Sequence, residues 1–123
     1  MNSKNIIEIK SYKFALRIIK LYKYLTVKKK EFILSKQVLR SGTSVGANVK
    51  EALQAQSRSD FIYKLNISLK EASETEYWLD LLKDSETIDK KSYESIANDC
   101  IELIKLLTSI IKTSKSKLKT NNE

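Results

Sequence analysis

No proline interrupts this chain, and glycine occurs only twice, at Gly42 and Gly46. Tight turns and strand reversals draw on those two residue types, so a fold of many short strands is disfavoured. The chain is instead free to run in long helices. Its 123 residues suit one domain. Histidine is also absent, which removes the His-based catalytic sets and His-ligated metal sites. The single cysteine, Cys100, cannot close an internal disulfide, and a reducing cytoplasm is the expected setting.

Apolar residues recur at helical spacing in four stretches. The first runs from about Ile9 to Lys29, with Phe14, Ile18, Leu21 and Leu25 on one face. The second runs from about Glu31 to Ala55, with Leu34, Val38, Ser41, Val45, Val49 and Ala52 inward. The third, from about Ser59 to Lys83, turns Phe61, Leu65, Ser68, Ala72, Thr75, Leu79 and Leu82 inward. The fourth, from about Asp89 to Ser114, does the same with Tyr93, Ile96, Cys100, Leu103, Leu107 and Ile111. Spacing alternates by four and three, which suits bundle packing at crossing angles of about 20°. Short joints force neighbours antiparallel, so the expected fold is all-α, an up-down-up-down four-helix bundle. Ser57 and Asp89 are placed to cap the third and fourth helices. The bundle is expected over residues 9–114, with residues 1–8 an N-terminal extension. Residues 115–123, rich in Lys, Ser, Thr and Asn, are expected to form a disordered basic tail.

A glycine inside a helix costs about 1 kcal/mol relative to alanine. Two of them four residues apart imply that another backbone comes close. Ser68, Ala72 and Thr75 are small as well, so the close contact is expected between the second and third helices.

Charge is uneven along the chain. Residues 1–30 carry nine basic residues and one acid, whereas residues 31–104 carry nine basic and thirteen acidic residues. The first helix aligns Lys10, Lys13, Arg17 and Lys20, with Lys23 at the edge, Tyr24 on the stripe and no facing acid evident. Lys28, Lys29 and Lys30 follow. Such a stripe can meet the phosphates of RNA or DNA, and Tyr24 or Tyr12 can stack on a base. The plain alternative is a solvated face, since 20 of the 23 basic residues are lysine; an acidic protein partner or an anionic membrane surface would also fit. Lysine offers a point charge rather than a fork, so backbone contact without base reading is expected. The longest apolar run, Ile101 to Ile111, is broken by Glu102 and Lys105, so no membrane span is expected.

Tyr63, Ile67, Trp78 and Leu81 lie off the core seam of the third helix and point to an oligomer interface, the alternative being that they pack on the fourth or first helix of the same subunit. The third-helix acids lack the histidine that di-iron bundles use, so neither metal nor cofactor is expected. Cys100 falls on a core seam and reads as buried and inert.

The second-helix segment QVLRSGTSVGANVKEA (37–52) and the third-helix segment FIYKLNISLKEASETEYWLDLL (61–82) resemble a bacterial four-helix-bundle family. That family was first named for proteins encoded in intervening sequences of 23S rRNA genes. Its motif positions correspond to Arg40, Ser44, Asn48 and Glu51, then Glu74 and Tyr77. Ala52 stands where members often have glycine. The resemblance implies subunits assembled as a ring-like homo-oligomer, a homopentamer. It also implies kinship with accessory proteins of diversity-generating retroelements, which bind nucleic acid and partner a reverse transcriptase. Gln37, Arg40, Ser44, Asn48 and Glu51 form a polar stripe on the second helix whose expected role is subunit–subunit hydrogen bonding, with a ligand or RNA contact as the alternative. The expected function is therefore non-enzymatic: an oligomeric bundle binding nucleic acid through its first helix. A structural protein–protein interaction module is the alternative.

Overall fold

The structure, a computed structural model, describes residues 2–122. It consists of four helices, α1 (Ser3–Val27), α2 (Leu34–Leu53), α3 (Arg58–Asp84) and α4 (Lys90–Asn122), and no strand among the described residues. Neighbours are antiparallel. Gly42 and Gly46 of α2 approach Ile18 and Ser11 of α1, in reverse order along the chain. Ser68 and Thr75 of α3 bond Val45 and Ser41 of α2. Tyr93 and Cys100 of α4 bond Asp80 and Ala72 of α3. The helices contact one another in the cyclic order α1–α2–α3–α4–α1, and α1–α4 is the least extensive contact.

The core is the seam expected from spacing. Phe14, Ile18, Leu25, Val38, Val45, Val49, Leu65, Leu79, Leu103 and Leu107 are essentially inaccessible, and Leu21 packs against them from the edge. Burying each large aliphatic or aromatic side chain contributes about 1.5–3 kcal/mol. All seven seam positions of α3, from Phe61 to Leu82, are buried. Cys100 is buried, with Sγ 3.3 Å from the Ala72 carbonyl, and desolvation pushes its thiol pKa up to about 12.

Three helix starts are capped by side chains. Asn2 accepts from the Asn5 N–H at 3.0 Å, Ser57 from Asp60 at 3.1 Å, and Asp89 from Ser92 at 2.8 Å. The second helix differs from the expectation. Glu31 lies outside it, and its carboxylate accepts from the N–H groups of Ile33 and Ser35 at 3.2 and 2.7 Å. Both joints at this end of the bundle reverse through left-handed residues without glycine, Lys30 at φ 55° and Glu86 at φ 62°.

The chain ends depart from expectation too. Residues 3–8, read as an extension, form the first turns of α1, and Ile7 is a core residue at 1% exposure. The presumed tail continues α4 to Asn122, and Leu118 packs against the core. Met1 and Glu123 lie outside the described residues.

The close approach of the glycines is to α1 rather than to α3. A Cβ on Gly42 would lie 2.7 Å from Ile18 Cγ1, and one on Gly46 3.2 Å from the Ser11 carbonyl oxygen. The small residues of α3 serve a separate contact. Ser68 Oγ donates to the Val45 carbonyl at 2.8 Å, and Thr75 Oγ1 sits 2.8 Å from Ser41 Oγ.

Candidate functional site

The basic stripe of α1 does have facing acids, and α4 supplies them. Lys10 Nζ is 2.5 Å from Glu102, and Arg17 Nη1 is 2.6 Å from Asp99. Arg17 also donates to the Ser95 carbonyl and hydroxyl at 3.2 and 2.9 Å. Two of the expected phosphate-binding residues therefore fasten α1 to α4. Lys13 lies beside the α1–α2 groove. Lys20 and Tyr24 line a hollow against α4, while Lys23 is exposed farther round the helix. Among the described residues, Lys13, Lys20 and Lys23 form no ion pair.

The hollow beside Lys20 occupies about 490 Å³, with Leu21, Ile88 and Ile96 as its apolar part and Arg17, Lys20 and Lys91 as its cations. A second, of about 360 Å³, adjoins it at the joint end of the bundle and is edged by Lys29, Lys83 and Lys90 and by the acid Glu86. Tyr24, Ile88 and Asp89 belong to both. Lys83 and Lys90 have acidic neighbours, Asp84 at 3.5 Å and Glu94 at 3.9 Å. Lys20, Lys29 and Lys91 have none within 4 Å among the described residues. Asp89 is turned into the first turn of α4, where its oxygens accept from the Ser92 N–H and hydroxyl; these bonds hold its carboxyl below the usual range. Lys29 and Lys91 reach this site only because the α1–α2 and α3–α4 joints share one end of the bundle.

The expected interface residues are used mostly within the chain. Arg40 bridges to Glu71 at 3.1 Å and to Glu74, and Trp78 Nε1 donates to the same Glu74 at 2.9 Å. Glu51 pairs with Lys64 at 3.0 Å, which raises the Lys64 pKa. Ser44 donates to the Arg40 carbonyl, and Asn48 to that of Ser44, both within α2. Of the polar stripe of α2, Arg40 and Glu51 thus join α2 to α3 within the chain. Trp78 packs against the core, Ile67 and Leu81 are half-buried, and Tyr63 alone of that set is exposed, at 61%. Tyr77 is exposed and meets the Trp78 ring edge-on at 5.0 Å.

An apolar line not singled out from the sequence runs along α1. Ile9, Tyr12, Leu16 and Val27 are all exposed, Tyr12 by 66%, and Phe32 and Ile33 of the following joint are exposed as well. Ile9, Tyr12 and Leu16 obey the same i, i+3, i+7 rule as the core and could have been found by it. Among the described residues, no cluster of three or more His, Cys, Asp or Glu is placed to hold a metal ion. Among the described residues, no helix is long and apolar enough to cross a membrane.

The family model described as 23S rRNA-intervening sequence protein matches residues 3–109. The chain belongs to that family. The crystal structure of a Bacteroides thetaiotaomicron protein, one "with unknown function from S23 ribosomal protein family", is similar at TM-score 0.89 and 61% identity. The similarity covers 90% of this chain and 99% of that one. No curated protein matches the chain. Within this chain, the motif residues Arg40 and Glu74 lie on adjacent helices and pair.

Proposed function

We propose that this family member is a non-enzymatic bundle that associates with copies of itself and holds nucleic acid by backbone phosphates at its joint end. One observation carries the reading: Lys20, Lys29 and Lys91, from three separate segments, converge on adjoining hollows without carboxylate partners. Lys28 and Lys30 add exposed charge at the same joint. Several groups with acid–base capacity are engaged elsewhere: Glu71 and Glu74 by Arg40, Asp80 by Tyr93, and Cys100 by burial. The test is fluorescence polarisation of labelled RNA and duplex DNA across salt. Three phosphate contacts give a log–log slope of about −2 to −3. Replacing Lys20, Lys29 and Lys91 by glutamine should remove binding and that slope. Equal binding by both proteins would overturn the reading.

The exposed apolar line on α1 favours self-association, and the ring of five implied by the family resemblance is the assembly we propose. The same line also suits a second reading, an interaction module whose partner is another protein. A wild-type protein that binds no nucleic acid at low salt would favour that second reading.

A further inference from the structure

The two hollows differ from a simple basic patch in one respect. Tyr24 stands in both, 42% exposed, with no hydrogen bond to its hydroxyl among the described residues. Leu21, Ile88 and Ile96 give the larger hollow an apolar part. Free cations lie on either side of Tyr24, Lys20 and Lys91 in one hollow and Lys29 in the other. A duplex keeps its bases stacked inside and offers a protein mainly its phosphates, leaving a tyrosine ring and an apolar concavity nothing to meet. A single strand offers both parts: phosphates for the lysines, and an unstacked base for the ring.

Resting on the phosphate-binding reading above, we propose that the paired hollows take single-stranded nucleic acid, with one base stacked on Tyr24 and flanking phosphates held by Lys20, Lys91 and Lys29. Base edges are not read, because the cations are lysines without a bidentate fork. Stacking on one aromatic side chain corresponds to about a 5- to 150-fold change in Kd.

The experiment measures labelled oligo(dT), oligo(U) and a mixed-sequence duplex of equal length, at one salt concentration and then across salt. The proteins are wild type, Tyr24→Leu, Tyr24→Phe and the triple Lys→Gln variant. Tyr24→Leu keeps an apolar side chain at the site, and circular dichroism checks that it is folded. Wild type should bind a single strand more tightly than the duplex; whether oligo(dT) or oligo(U) is favoured separates DNA from RNA. Tyr24→Leu should weaken single-strand binding by about 5- to 150-fold with the salt slope unchanged, and Tyr24→Phe should stay near wild type. A Tyr24→Leu protein that binds single strands like wild type, or a wild-type preference for duplex, would overturn stacking. Loss of binding in the lysine variant would then leave the phosphate reading standing. Wild type binding neither form would overturn both.

Discussion

Arg17 on α1 and Asp99 on α4 form an ion pair at 2.6 Å across the least extensive contact in the bundle. Their side chains are 40% and 47% exposed, so solvent screens the pair heavily. Pairs of this exposure contribute about 0.2–1 kcal/mol. Urea unfolding of Arg17→Ala, Asp99→Ala and the double variant should give a coupling energy in that range, shrinking as salt rises. A cycle that closes to zero at low salt would show that the pair is not formed in solution. Arg17→Glu should cost more than Arg17→Ala, because both leave Ser95 without its donor but only Glu sets a carboxylate against Asp99. Charge reversal at Arg17 therefore reports on the fold as well as on binding, which is why the binding tests use Lys20, Lys29 and Lys91.

Gly42 offers a prediction whose sign depends on its neighbour. A Cβ there would lie 2.7 and 2.9 Å from the two γ carbons of Ile18. Those atoms sit next to a β-branched, fully buried centre and cannot swing aside. Gly42→Ala gains about 1 kcal/mol of helix propensity but meets overpacking of about 1–3 kcal/mol, so it should lower the unfolding midpoint. In an Ile18→Ala background the clash disappears, and the same substitution should stabilise. A destabilising effect of equal size in both backgrounds would mean that Ile18 is not the obstacle.

Alkaline pH should unfold the bundle in a defined window. The Tyr93 hydroxyl donates to Asp80 at 2.5 Å. That bond first, then burial and the negative charges of Asp80, Glu76 and Asp84, push the phenol pKa up to about 12, even with Lys83 Nζ 4.4 Å above the ring. The folded state thus holds this proton more tightly than the unfolded chain. Its stabilising effect is complete below pH 10 and is lost as pH rises from 10 through 12. Cys100 acts in the same sense from pH 9 to about 12. Thermal midpoints should fall across this range. Tyr93→Phe should fall less steeply above pH 10, and an identical fall would exclude Tyr93 as the cause.

The apolar line on α1 predicts association. Light scattering at micromolar concentration should give wild type a mass well above 14.2 kDa. Ile9→Lys with Leu16→Lys should lower that mass to one subunit without loss of helix, since both positions are exposed. Tyr63→Lys on α3 serves as the comparison. A wild-type monomer would remove the assembly, and a mass changed only by Tyr63→Lys would move the interface to α3.

The core was legible because a four-three alternation has one solution on a helix: the seam residues of α3 are buried from end to end. The helix ends were harder. Lys, Ser and Thr from 115 onward carry no proline or glycine to stop a helix, and Leu118 supplies an anchor that one apolar residue in a polar run does not advertise. The glycines announced a close approach but not its direction, since α2 touches both α1 and α3. Lys10 and Arg17 were visible on a stripe, whereas the acids that face them, Glu102 and Asp99, sit 92 and 82 residues away in sequence. Only the topology brings α4 alongside. Trp78 reads two ways from sequence: it lies off the seam, yet its ring is large enough to reach the core from a boundary position, and Glu74 beside it accepts its N–H.

The hydroxyls buried between α2 and α3 have a consequence for alignment. An aliphatic seam would tolerate sliding one helix by a turn, about 5.4 Å, with nearly equal packing. Such a slide would strand Ser68 away from the Val45 carbonyl and Ser41 away from Thr75, whose own hydroxyl keeps the Glu71 carbonyl at 2.7 Å, at about 1–3 kcal/mol for each group left unmet. The two bonds act as a vernier, admitting one axial setting and rejecting its neighbours. Identical subunits then carry identical offsets along the bundle axis, and a closed assembly of them accumulates no mismatch from one copy to the next.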